Sequence, residues 1–409
     1  MNEKDYPVSV TDFTELISGR YQFVDKTLMI RDLCHANGRV LFFQRPHLFG
    51  KTLNLSMIDR FFNIAYRDYG NLFENLRISE YPECMEMMNS YPVIRIDFGI
   101  LKGSSDIESD LSKVVIDALS PYLNLAEQDI LRCDSTFIRR CRNMSLDRIE
   151  TGRAIKRMCE ILHRRHGRKT IVLLDNYDAC IEDVTSVELC KKIAEDLRYF
   201  LIQTFKCNFN LHLGVIMGTS PPIRGGMTCG LNNISLCGIA EHESDTSFGF
   251  DMEEMMSLLD GLPEKERIYE EMAEWYGGYR FGDSEMLNPH CVMEYLRNGC
   301  EPHAFWSRDA GETIKWLIDL VEWEKIRDTT ISGWTMRSDI LYRPSNTSAL
   351  CSFLSMVGIL RASPTCNHGE GTEYNFTIVN RDISSLFEHN GDFYRFIRDH
   401  IEKSYHDLE

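Results

Sequence analysis

The chain has 409 residues, 43% of them hydrophobic and 26% charged, which is enough apolar material for a sizeable core in two or three domains and argues against a disordered chain. Its formal net charge of −17 opposes nonspecific attraction to nucleic acid or an anionic membrane over the surface as a whole, so nucleic acid is not expected to be bound directly. The 14 cysteines are scattered without a C-x-x-C pair or zinc-like spacing, and the chain shows neither an apolar leader nor a run of roughly eighteen apolar residues; reduced thiols, a cytoplasmic location and no membrane span are therefore expected.

In chain order, residues 11–35 show helical apolar spacing, first at Phe13, Leu16 and Ile17, then at Leu28, Ile30 and Leu33. A turn at Asn37 and Gly38 follows. Residues 39–43 form a short apolar run of the kind that a strand buried on both faces requires, and they lead directly into Gln44-Arg-Pro-His-Leu-Phe-Gly-Lys-Thr52 and a helical stretch over 53–64. Further buried strands are predicted over 92–98, 169–174 and 212–217, separated by helical patterns such as 106–123 and 187–205. Strands alternating with helices predict an α/β fold, a mainly parallel sheet with helices on both faces. Near Ser244 the pattern becomes helical over 251–323, with the aromatic, glycine-rich stretch 275–283 in its middle. Beyond Thr329 the order is helix 348–357, strand 358–362, a turn around 364–372, strand 372–379 and further helices, which is the order of a winged-helix-like module.

The chemistry is concentrated at residues 44–53. A phosphate cradle needs a strand that ends abruptly, a loop whose amides face inward and a helix whose N-terminus faces the phosphates. In that arrangement Gly50 allows close backbone approach, the Lys51 ammonium bridges β- and γ-phosphates, and the Thr52 hydroxyl ligates Mg²⁺. Arg45 stands where the pattern G-x-x-x-x-G-K-[ST] has its first glycine. On pattern alone Gly50-Lys51-Thr52 fits a capped helix start with an exposed lysine equally well. A second strand ending in a carboxylate, Ile171-Val-Leu-Leu-Asp175, supplies what the magnesium shell of such a site needs, although a turn or capping aspartate has the same signature.

These residues, with Asp12-Phe13, Phe23-Val-Asp-Lys-Thr27, Arg45-Pro46, Phe49-Gly-Lys-Thr-Leu-Asn-Leu-Ser56, Asn71-Leu-Phe-Glu-Asn-Leu76, Tyr91-Pro-Val-Ile94, Tyr177-Asp178, Gly230-Leu-Asn-Asn233, Phe248-Gly-Phe250, Gly278-Tyr-Arg-Phe-Gly282 and Asn288-Pro289, resemble the AAA-ATPase-like family of bacterial proteins. The resemblance spans most of the chain and implies a P-loop NTPase-like α/β domain over 1–247, a helical lid over 248–328 and the winged-helix-like module over 329–409. In that family an arginine at the first glycine position is ordinary. The resemblance implies that Arg45, Pro46, His47, Leu48, Phe49, Gly50, Lys51, Thr52 and Leu53 hold ATP, that Thr52 and Asp175 hold Mg²⁺, and that Asp175, Asn176 and Asp178 occupy the catalytic positions of a degenerate Walker B strand end. Members often carry a C-terminal PD-(D/E)XK-type nuclease domain, which is expected to be missing here because the chain stops soon after Asn380.

Four features depart from the family pattern, one of them Cys180 in place of the usual proline. The usual glutamate after Asp175 is Asn176, which orients a water but cannot take its proton; His47-Leu48 replaces an Arg-Arg pair; and Pro221 replaces a basic residue, with Arg224 nearby. Phosphoryl transfer depends on positioning and charge stabilisation, so nucleotide binding with weakened or absent hydrolysis is expected. A regulatory or protein-interaction scaffold without nucleotide and an active Mg-dependent ATPase using Asp178 stay open, as do a protein partner and a homo-oligomer. The basic stretches Arg139-Arg-Cys-Arg142 and His163–Lys169 read first as solvated faces, the aromatic turn at 275–283 as packing between lid and sheet, and Cys366 with His368 as incidental. His47 divides evenly between a phosphate contact and an ordinary loop histidine.

Overall fold

The computed structural model describes residues 6–36, 40–68, 70–124, 131–182, 184, 187–206, 208–220, 230–231, 233–239, 245–309, 334–335, 347–368 and 371–388. The turn at Asn37-Gly38, Pro221, Arg224, the helical stretch beyond Asp309 and the helices expected after Glu388 lie outside those residues.

Five parallel strands form the centre: β1 (Val40–Gln44), β2 (Val93–Asp97), β3 (Thr170–Asp175), β4 (Leu211–Gly218) and β5 (Ile234–Cys237), in the spatial order β2-β3-β4-β1-β5. The α/β fold with a parallel sheet is therefore as the alternation implied. Every residue of β1 and of β3 is buried, because side chains alternate between two covered faces. Leu41, Phe43, Leu173, Val215 and Met217 face one core; Phe42, Val172, Leu174 and Ile216 face the other. Each fully buried phenylalanine contributes about 2–3 kcal/mol relative to leaving it in water.

Helices α1 (Phe13–Ser18), α2 (Leu28–Cys34) and α3 (Lys51–Phe62) belong to the first core, with the short α4 (Pro82–Met85) beside them; α5 (Ile107–Leu119), α6 (Arg132–Arg142), α7 (Arg148–His166), α8 (Ala179–Glu182) and α9 (Val187–Phe205) belong to the second. Helix α5 starts on the side-chain cap of Asp106, and α7 on a capping box between Asp147 and Glu150. Asp12 caps α1, takes a hydrogen bond from Arg60 at 2.9 Å, and thereby ties α1 to α3.

After the sheet come α10 (Met252–Leu258), α11 (Lys265–Tyr276) and α12 (Pro289–Arg297). The aromatic turn expected in the middle of the helical stretch contains a hairpin, β6 (Tyr279–Phe281) with β7 (Ser284–Met286), because Gly277 and Gly278 end α11 and the chain reverses at Gly282-Asp283. Strand β5 was not anticipated either: three of its four residues are only partly buried, so it lacks the apolar run that marks the others. The last elements are β8 (Trp334–Thr335), α13 (Thr347–Met356), β9 (Leu360–His368), β10 (Gly371–Ile378) and α14 (Arg381–Glu388), with the strands antiparallel in the order β8-β10-β9. Cys366 and His368 lie on β9. Among the described residues no helix is long and apolar enough to cross a membrane.

Candidate functional site

Strand β1 stops at Gln44, whose amide nitrogen bonds the carbonyls of Thr219 and Met356 at 2.8 and 2.7 Å and fixes where the loop leaves the sheet. Leu48 and Gly50 both have positive φ, 66° and 73°, which folds the loop tightly before α3. A left-handed leucine is uncommon, and such strain is retained where the surroundings enforce it. No side chain caps the N-terminus of α3, and a methyl group added at Gly50 would meet nothing within 4 Å. The first amides of α3 therefore face open space with the helix dipole behind them.

That space is a cavity of about 480 Å³. Its polar end is built from His47, Leu48, Phe49, Gly50, Lys51, Thr52 and Asn176; Leu53 completes the loop side, and Val10, Phe23, Val24, Phe248, Phe250 and Met293 give the remainder an apolar wall. The Lys51 ammonium donates to the carbonyls of Arg45 and Pro46, at 2.9 and 2.7 Å, and its charge is felt by His47, Asp175 and Asp178.

Asp175 ends β3 fully buried. Burial raises its pKa, a hydrogen bond with Thr52 opposes the rise, the charge of Asp97 adds to it, and Arg95, 4.0 Å from Oδ2, lowers it. Its Oδ1 accepts the Asn176 amide at 3.1 Å, while Oδ2 is buried without a hydrogen-bond partner. An orphaned carboxylate oxygen beside a threonine hydroxyl at the foot of the loop is a donor set suited to a hard divalent cation, so these residues fit Mg²⁺.

Four candidates, Arg45, Pro46, Asp175 and Asp178, do not line the cavity. Arg45 is fully buried: its guanidinium donates to the carbonyls of Gln44 and Cys237 at 2.8 and 2.7 Å and lies over the rings of Phe248 and Phe281, 5.0 and 4.8 Å from their centroids. A cation so enclosed fastens the loop to β5 and the β6–β7 hairpin. Asp178 is likewise buried and accepts the backbone amides of Thr219 and Ser220 on Oδ2, which anchors the end of β4. Pro46 packs under Gly358, where a side chain would come within 2.8 Å of its ring.

The aromatic turn has the packing role expected of it: Phe49 sits edge-on to Tyr279 and Phe281, with centroids 4.8 and 5.1 Å away, and Trp275 stacks under Arg381. The basic stretches are largely consumed inside the molecule. Arg164 and Arg157 pair with the buried Asp134, Arg140 with Glu150, and Arg142 with the Leu123 carbonyl.

Sequence reasoning passed over four groups around the cavity. Asp97 ends β2 and bonds Asn176; it bears the same strand-end signature as Asp175. Lys102, beyond the turn after β2, presses its charge on His47. Lys26 pairs with Glu254 at 2.6 Å and joins the first segment to α10. On α12, His290 and Glu294 approach Asp309, but both carboxylates are already held by Arg308, at 3.3 and 2.6 Å, which closes the group against a metal ion.

His47 is neutral in this setting: burial, then Lys51 and Lys102, push its pKa down to about 3. In the unfolded chain it titrates near 6.5, so its contribution to stability is complete above about pH 6.5 and is lost as pH falls toward 3. His47→Gln is expected to flatten the acid limb of a Tm against pH curve for the ligand-free protein between about pH 6.5 and 5; an unchanged slope would place the titrating group elsewhere.

Comparison with known proteins gives matches of three kinds. The family model described as "Predicted AAA-ATPase" matches residues 7–228. An uncharacterized protein of the vnfD 5' region of Azotobacter chroococcum mcd 1 is 25% identical over 338 residues, 78% of this chain and 57% of its own length; the chain thus spans little more than half of that relative. Two solved structures align over most of the chain. The Aeropyrum pernix ORC1 protein in complex with DNA is 9% identical, with 93% of this chain and 97% of that one covered and a TM-score of 0.31. The Drosophila ORC bound to AT-rich DNA and Cdc6 is 14% identical, with 92% and 95% covered and a TM-score of 0.22.

Proposed function

The chain belongs to the AAA-ATPase-like family, and from that premise we propose that it is an ATP-binding P-loop protein with weakened hydrolysis, acting in the cytoplasm. The observation that carries this reading is the bare N-terminus of α3, open to a cavity lined by Lys51 and Thr52, with the buried Asp175 carboxylate beside Thr52.

In this reading the amides of Gly50, Lys51 and Thr52 receive phosphate oxygens, and the Lys51 ammonium turns from the Arg45 and Pro46 carbonyls to the β- and γ-phosphates. Thr52 and Asp175 would hold Mg²⁺, which supplies charge neutralisation between those phosphates. Val10, Phe23, Val24 and Phe248 offer the base an apolar slot. Asn176 orients water without taking a proton, and neither His47 nor Leu48 brings the positive charge that the family's arginines would, so turnover is slow. Residues 1–247 form the nucleotide domain, 248–328 the lid, and 329–409 a winged-helix-like module that leans on the loop through Gly358 and Pro46. A nucleotide is the first partner; a second protein or further copies of the chain would meet the lid.

The test is a thermal shift with Mg-ATP. A ligand at a hundred times its Kd stabilises the folded state by about 2.7 kcal/mol, which moves the midpoint of a chain this size by a few degrees. No shift at several millimolar Mg-ATP would leave the family's scaffold with its ligand lost.

A further inference from the structure

We propose that Asp97 accepts the proton of the attacking water in the turnover this chain retains, and that Asn176 holds it in place. The proposal rests on the nucleotide reading above and supplies the carboxylate that Asn176 lacks.

Strands β2 and β3 are parallel neighbours, and their register pairs Asp97 with Asp175, so two acids end side by side on one edge of the sheet. Their surroundings separate their work. Asp175 is buried against Thr52, where a cation fits; Asp97 is exposed. The residue after Asp175 has φ of 51°, which bends the backbone out of the strand and lets the Asn176 side chain reach across to β2. Its Nδ2 donates to Asp97 Oδ1 at 2.9 Å, and the Gly99 amide donates to the same oxygen at 2.7 Å. Two donors thus fix one carboxylate oxygen, and Oδ2 has no hydrogen-bond partner among the described residues.

Gly99 makes this approach possible, since a side chain there would stand 3.0 Å from Asp97 Oδ1 and 3.3 Å from Asn176 Nδ2. Asn176 lines the cavity with Asp97 hydrogen-bonded to it from β2, and the turn after β2 carries Lys102 towards His47. The amide oxygen of Asn176 is left to accept from a water while the carboxylate beside it takes the proton. In that step the water oxygen bonds to the γ-phosphorus as the bond to the β–γ bridging oxygen breaks. The electron pair of that bond leaves with ADP, the water proton passes to Asp97 Oδ2 and then to solvent, and inorganic phosphate remains.

The experiment measures phosphate release and the Mg-ATP thermal shift on the full chain. Asp97→Asn keeps the oxygen that Asn176 and Gly99 bond, so the thermal shift and KM are expected to stay as in the wild type while kcat falls by at least about tenfold. Adding Asn176→Glu to that variant returns a carboxylate to the strand end and is expected to restore release, which a merely structural role for Asp97 would not allow. Undiminished turnover in Asp97→Asn overturns the proposal. So does a wild type that is stabilised by ATP yet releases no more phosphate than Lys51→Ala, an outcome that leaves the binding reading standing. Absence of any thermal shift removes both.

Discussion

Lys51→Ala is expected to abolish stabilisation by Mg-ATP while the ligand-free protein still folds. The ammonium is the positive charge placed among His47, Asp175 and Asp178, in a chain whose formal charge is −17. Without it the triphosphate would lose the ammonium at the head of α3, and the helix amides would have to hold it with only the more distant Lys102 to help. A hundredfold weaker affinity, at a ligand concentration that gives the wild type about 2.7 kcal/mol, leaves about 0.4 kcal/mol. The ligand-free variant also loses the two hydrogen bonds to Arg45 and Pro46, and carbonyls left unpaired in a partly buried loop cost about 1–3 kcal/mol each at most. Its own midpoint is therefore expected to drop modestly. Thermal shifts of both proteins with and without Mg-ATP separate the two effects. Equal shifts in both would place the nucleotide somewhere other than this loop.

Much of this site was legible because strand ends are local. Residues 39–43 and 171–175 are apolar runs that stop at a polar residue, and a strand covered on both faces can be written in few other ways. Neighbour relations were not legible. Arg45 could be seen in the place of a glycine, but its direction is decided by Phe248 and Phe281, some two hundred residues later in the chain, which enclose it on the far side of the loop. Asp178 looked free to serve as a base, yet its Oδ2 accepts two amides from the end of β4. Asp97 carried the same signature as Asp175 and drew no notice, because its meaning lies in the pairing of β2 with β3, and only the strand order supplies that.

The order of the sheet also accounts for how an arginine substitutes for a glycine. A glycine at position 45 would give the loop freedom to close around a phosphate; the arginine gives it an anchor instead, held by two carbonyls and two rings. The cradle is then shaped by Leu48 and Gly50 alone, at φ of 66° and 73°, against a fixed base. Rigidity of that kind lowers the ordering cost of binding, and it couples the loop to the β6–β7 hairpin through Phe281 and Phe49.

Asp175→Asn is expected to act with opposite signs on stability and on binding. The carboxylate is fully buried, with one oxygen unpartnered, and its pKa is raised mainly by that burial. An acid whose folded pKa lies above its unfolded value costs stability at neutral pH; the cost fades as pH falls through the folded pKa and is gone below the ordinary value of 3.8. The neutral asparagine has no such cost, so in EDTA the variant is expected to melt higher than the wild type at pH 7, the gap narrowing as the buffer is made acidic. With ATP the order reverses. Mg²⁺ strengthens the wild-type thermal shift because Asp175 and Thr52 hold it against the phosphates, whereas the variant is expected to show the same shift with Mg²⁺ as with EDTA. A buried charge kept at the expense of the ligand-free fold is the mark of a group retained for what it binds. Should the variant melt lower than the wild type in EDTA and still respond fully to Mg²⁺, Asp175 would be a structural aspartate and the cation would lie elsewhere.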